Sequence, residues 1–155
     1  MNTENVRSYI RSVMSQNKAV SAGFVVVKEF DTELRVLGLR RFSRYDLPKG
    51  HVESGEDLLT TAIRETAEEA SVTDLNMQWG NESFEIKTPR KNIILFLAKT
   101  EQDGEIARNP ETGKWEHHGT KWMTFDEALS ADFGFLGPAI KWAHNKINNH
   151  SVDVE

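Results

Sequence analysis

The 155-residue chain contains no cysteine, which excludes disulfides, thiolate metal sites and cysteine nucleophiles. It has no apolar run near the roughly 20 residues that a membrane span requires, and no basic N-terminal segment leads into an apolar stretch. These absences predict a cytoplasmic protein without a membrane partner. The net charge of -5 argues against long nucleic acid as a partner, because binding it relies on clustered Lys and Arg that displace counterions. Small anionic ligands remain allowed if local cations or a metal offset the overall repulsion. Internal repeats and low-complexity segments are also missing.

With 38% hydrophobic and 28% charged residues, the chain has the makings of one packed domain. Val6, Tyr9, Ile10, Val13 and Met14 fall at helical spacing and predict a helical extension over residues 1–18. The main body is expected over 19–149, followed by a polar, frayed tail at 150–155. Residues 21–27 and 34–39 are apolar and β-branched, predicting a hairpin or adjacent strands across a polar turn at 28–33. Residues 45–55 carry Pro, Gly and Ser and read as a loop, from which a helix capped by Ser54 runs to about Ala70. Further strands are predicted around Ile86, over 93–98 and over 115–123, together making a mixed sheet. Thr124 with Glu127 forms a capping signature for a short helix, and Pro138 opens a last helix carrying Ile140, Trp142, Ala143 and Ile147.

The helix ending near Ala70 carries the chemistry. At about 100° per residue, Glu65, Glu68 and Glu69 share an arc of about 100°, while Leu59, Ile63, Thr66, Ala67 and Ala70 occupy a different sector. Like charges at i,i+4 cost an isolated helix roughly 0.2 to 0.5 kcal/mol, so Glu65 and Glu69 do not serve helix stability. A solvated acidic face would account for the glutamates taken alone. A counter-cation would turn the repulsion into attraction, and Mg2+ favours such oxygen ligands together with substrate phosphates.

The wider spacing decides between the two readings. Gly50, Glu56, Arg64, Glu65, Glu68 and Glu69 form G-x5-E-x7-R-E-x2-E-E, and Val72 adds an aliphatic residue beyond. This pattern resembles the Nudix box, from which Thr66 departs at an aliphatic position and Ser71 at a glycine. The resemblance implies an α/β fold of the α+β kind, an α/β/α sandwich around a mixed sheet. It also implies that Glu65, Glu68 and Glu69 ligate Mg2+, with Mn2+ as the alternative, and that the Gly50 carbonyl completes a metal site. Glu65 is then the leading group to deprotonate or orient water, and Arg64 holds a carboxylate. On the helical construction Glu56 points about 180° from Glu65, which gives it a supporting role.

The flanking residues 47–57 begin Leu-Pro-Lys-Gly-His and are similar to the entry of asymmetrical diadenosine tetraphosphate hydrolases. That similarity implies phosphate contacts from Lys49 and Lys91. It also implies a further metal ligand at Glu116, which with His117 precedes Trp122 as in those enzymes. Each has a plainer reading: a loop charge for Lys49, strand-edge solubility for Lys91 and an exposed acid for Glu116; His117 and His118 offer acid-base groups, with neutral surface histidines as the commoner outcome. Phe42, Tyr45, Phe84, Phe133 and Phe135 can stack on a base or sit in a core, and the base pocket stays unassigned.

The expected activity is metal-dependent hydrolysis of a pyrophosphate linkage in a small nucleotide, foremost a dinucleoside polyphosphate. ADP-ribose, dinucleotide cofactors and the 5' end of RNA expose the same linkage, and a non-catalytic nucleotide-binding module could share the fold. Oligomeric state is not legible.

Overall fold

A computed structural model describes residues 3–153. The β-branched run lies in the longest strand, β1 (Ala19–Phe30), which is buried over residues 20–27. A strand that is apolar on both faces belongs at the centre of a covered sheet. Strand β2 (Glu33–Arg41) pairs antiparallel with the far end of β1, at residues 27–30. Strand β4 (Lys49–His51) pairs antiparallel with its near end, at residues 21–23. On the other side β6 (Lys91–Lys99) runs parallel to residues 19–27. The mixed sheet is completed by β3 (Arg44–Asp46) and β7 (Gly119–Thr124) on β2, and by β5 (Phe84–Lys87) on β6.

Successive side chains of β1 point to opposite faces of the sheet and so build two cores. Phe24 and Val26 pack with Val6 and Val13 of helix α1 (Thr3–Met14) and with Leu58 and Ala62 of α2 (Leu58–Ala70). Val25 and Val27 pack with Phe125 and Ala128 of α3 (Phe125–Ser130) and with Ile140, Ala143 and Ile147 of α4 (Gly137–Asp153). The result is the expected α/β/α sandwich. Among the described residues no helix is long and apolar enough to cross a membrane.

Several local expectations change. The loop predicted at 45–55 contains β4, because Gly23 leaves room for the chain to press against β1. A Cβ there would meet the Pro48 carbonyl oxygen at 2.1 Å. Asp57, rather than Ser54, caps α2 by accepting from the Thr60 amide at 2.8 Å. The buried face of α2 is Leu58, Thr61, Ala62, Thr66 and Ala70, leaving Ile63 exposed, so the apolar sector is turned from the one read in sequence. Thr61 can face inward because its hydroxyl donates to Glu56 Oε1 at 2.9 Å. Trp115 precedes β7 and joins Arg108 in an isolated bridge rather than a strand. Helix α4 continues to Asp153, beyond the expected start of the polar tail, while residues 154–155 lie outside the described residues.

The two departures in the box have different consequences. Thr66 is fully buried, and its hydroxyl donates to the Ala62 carbonyl at 2.8 Å, so it fills an apolar position without an orphan donor. Ser71 ends α2 in the left-handed region, with φ 57 and ψ 34. A residue with a Cβ pays for that conformation and glycine does not. Ser71→Gly is therefore expected to stabilise the fold by about 1 kcal/mol, which raises Tm by about 2 to 4 °C. An unchanged or lower Tm in a thermal melt would refute the strain at this helix end.

Candidate active site

Helix α2 runs across β4 and sets its acidic side against a cleft of about 730 Å³. Glu65, Glu68, Glu69, Arg64, Gly50, Lys49, Lys91 and Glu116 all line this cleft. Glu56 is not on its wall. It lies before the first turn of α2, so the helical angle assigned to it from sequence does not apply, and its carboxylate reaches Arg64 instead.

Arg64 organises the acids. Its Nε donates to Glu56 Oε2 at 2.7 Å and its Nη2 to Glu56 Oε1 at 3.0 Å, a paired arrangement suited to a guanidinium. Its Nη1 donates to Glu65 Oε1 at 2.8 Å and to Glu68 Oε2 at 3.3 Å, and Nη2 also reaches the His51 carbonyl at 3.0 Å. One cation thus ties the loop to two box glutamates. The bond to Arg64 holds the Glu56 carboxyl down at about 2, outweighing the effect of burial. A folded pKa below the usual 4.5 contributes stability that is present above that value and lost as pH falls through about 2. The stability gap between wild type and Glu56→Gln, read from urea melts, should therefore narrow as pH drops from about 4.5 towards 2. A gap independent of pH over this window would show that the ionised bond is not what stabilises.

Gly50 permits the closest approach in the site. A Cβ at this position would lie 2.1 Å from the Glu65 carboxyl carbon and 2.3 Å from both its oxygens. Glu65 therefore rests against bare backbone while Arg64 holds its Oε1. Burial raises the Glu65 pKa, aided by the charges of Glu68 and Glu116 against the lowering effect of Arg64. Glu69 is pushed further, to about 9, chiefly by burial and also by the charges of Asp46 and Glu65. The Lys49 amide donating to its Oε1 at 3.0 Å opposes that shift only in part. Glu65 and Glu69, both half-buried with raised pKa values, are compensated only in part by Arg64 and Lys49, an environment that suits a divalent cation.

Two further groups enter from elsewhere in the chain. His117, expected at the surface, is only 5% exposed. Its Nε2 lies 3.2 Å from Asp46 Oδ2, and its Nδ1 lies 3.6 Å from Glu69 Oε2. Asp46 also pairs with Lys49 Nζ at 3.0 Å. Burial alone would raise the Asp46 pKa, but His117 and Lys49 together hold it at about 2. Glu69, Glu116 and His117 offer ligand atoms that lie within 4.8 Å of one another. Glu116 is exposed and accepts from Asn109 Nδ2 at 2.6 Å. Lys91 stands at the start of β6 inside the cleft, where burial and then the charge of Lys49 lower its pKa.

Asp46 is the residue that sequence reading missed. Its signal was faint, an acid in a Pro- and Gly-containing stretch, and its partner His117 lies 71 positions away. The other contacts of the site are mostly between neighbours on α2 and its preceding loop.

A sequence model of the NUDIX domain matches residues 18–143. The chain is similar to the asymmetrical bis(5'-nucleosyl)-tetraphosphatase of Caenorhabditis elegans, at 28% identity over 130 residues that cover 78% of this chain and 91% of that protein. Its fold is like that of a C. elegans Ap4A hydrolase in a binary complex, with a TM-score of 0.66, 24% identity, and coverage of 87% and 98% of the two chains. It is also like the NUDIX domain of Shewanella oneidensis NrtR complexed with ADP ribose, with a TM-score of 0.66, 18% identity, and coverage of 95% and 99%.

Proposed function

Since this chain belongs to the Nudix family and is a Nudix pyrophosphohydrolase, we propose that its substrate is a dinucleoside polyphosphate of the diadenosine tetraphosphate kind, cleaved with a divalent metal. The observation that carries the proposal is a single cleft in which the acids of α2 meet Lys49 and Lys91. Its 730 Å³ falls in the size range of small-molecule sites. The similarity to the C. elegans tetraphosphatase supports the choice among nucleotides.

Glu65, Glu68 and Glu69 would hold Mg2+ or Mn2+, joined by Glu116 and the Gly50 carbonyl. Bound there, the ion supplies charge neutralisation and a more acidic water. Glu65 would accept the proton as water attacks one phosphorus, while the bridging P–O bond breaks and its electron pair leaves on the oxygen of the departing phosphate chain. Arg64 fixes the direction of the Glu65 carboxylate, with Glu56 as its anchor. Lys49 and Lys91 take the phosphate oxygens, and Asp46 holds the Lys49 ammonium at the cleft wall. Every acid of the box is retained, which favours catalysis over a purely binding module.

The test is product identification with diadenosine tetraphosphate, ADP-ribose, NADH and triphosphorylated RNA in parallel. ATP and AMP from diadenosine tetraphosphate are expected, with turnover abolished by EDTA and restored by excess Mg2+. Cleavage of ADP-ribose alone would replace the substrate, and full activity in EDTA would remove the metal from the mechanism.

A further inference from the structure

The hairpin that joins β2 to β3 turns over Phe42 and Ser43, since Arg41 pairs with Arg44 across it. Phe42 stands at φ 58, a conformation that belongs to glycine and asparagine and that a bulky side chain adopts only at a cost. The core gives nothing back for that cost, because Phe42 is 75% exposed, the most exposed large hydrophobic residue among those described. Strain held without burial points to function.

Among the described residues the ring has one aromatic partner. His118 packs against it with centroids 4.8 Å apart and planes inclined by 56°. His118 is itself held in place: its amide donates to the Arg40 carbonyl at 2.7 Å, and Arg40 Nη2 donates to its carbonyl at 3.0 Å. Phe42 and His118 both line the cleft that contains the box glutamates, Lys49 and Lys91. The cleft's other exposed aromatic residue, Trp115, is 48% exposed and has the Arg108 guanidinium over its ring at 5.4 Å.

We infer that Phe42, braced by His118, is the stacking platform for a nucleobase of the substrate and determines that a nucleotide is preferred over bare polyphosphate. This rests on the nucleotide reading of the same cleft. A planar base can cover the exposed ring while its phosphates extend towards Lys49, Lys91 and the acids. Stacking on a single ring tolerates different bases but favours purines, which offer the larger π-surface.

The experiment measures Kd for ATP and for inorganic tripolyphosphate, which carries the phosphates without the base, in wild type, Phe42→Gly, Phe42→Trp and Trp115→Ala. Wild type should prefer ATP by roughly 5- to 150-fold, the range that base–aromatic stacking supplies. Phe42→Gly should erase most of that preference and melt at a higher temperature, because glycine fits the turn. Phe42→Trp should keep the preference. Equal affinity of wild type for the two ligands would overturn the inference. So would a preference that survives Phe42→Gly, or one lost only in Trp115→Ala. A wild type that cleaves no dinucleoside polyphosphate yet shows the Phe42 pattern would refute the substrate proposal and leave this assignment standing.

Discussion

Glu65→Gln is expected to lower kcat by roughly 10²- to 10⁴-fold, the range for losing a general base. Glutamine preserves the side chain's size and can still accept the Arg64 hydrogen bond, which spans 2.8 Å in the wild type. It cannot take a proton from water, and it offers a metal a neutral oxygen in place of a charged one. The Mg2+ concentration for half-maximal activity should therefore rise along with the fall in kcat. Stability should hold or improve, because a buried carboxyl with a raised pKa is replaced by a group that needs no counter-charge. Turnover within threefold of wild type at saturating Mg2+ would take Glu65 out of the proton transfer.

The second large effect comes from a methyl group. In Gly50→Ala the new Cβ would lie 2.1 Å from the Glu65 carboxyl carbon, well inside van der Waals contact, so the carboxylate must swing away. Misplacement of a reacting group by about 1 Å can cost roughly 10²-fold in rate, and a loss of that order in kcat is expected. The displaced carboxylate also leaves Arg64, whose remaining bonds to Glu56 and the His51 carbonyl keep the loop in place. Activity should therefore fall far more than Tm. Kinetics close to wild type would show that the glutamate finds an equally good position, and would reduce Gly50 to a steric convenience.

The pairing of these two residues was only half visible before folding. The box spacing named both, but as separate donors to a metal. That one must be glycine so that the other can lie against its backbone follows from β4 docking on β1 beneath α2. Arg64 shows the same limit. A paired bond to some carboxylate was expected, yet the helical projection set Glu56 opposite Glu65, where the two could not share one guanidinium. The projection failed because α2 begins only at Leu58, after an extended Asp57 that redirects the chain.

By itself, the sequence determined the apolar, β-branched strands at 21–27 and 34–39, the helix bearing Glu65, Glu68 and Glu69, and the box that contains them. Each is a short-range pattern, set by side-chain period or by spacing within about twenty residues, which local geometry converts directly into position. Tertiary structure decided which distant groups join them. Asp46 meets His117 across 71 positions, Lys91 enters on the parallel neighbour of β1, and Phe42 is lifted onto the cleft rim beside His118. Those meetings depend on strand order and register, because only the closed sheet sets which loops share one cleft and which buried charges must pair.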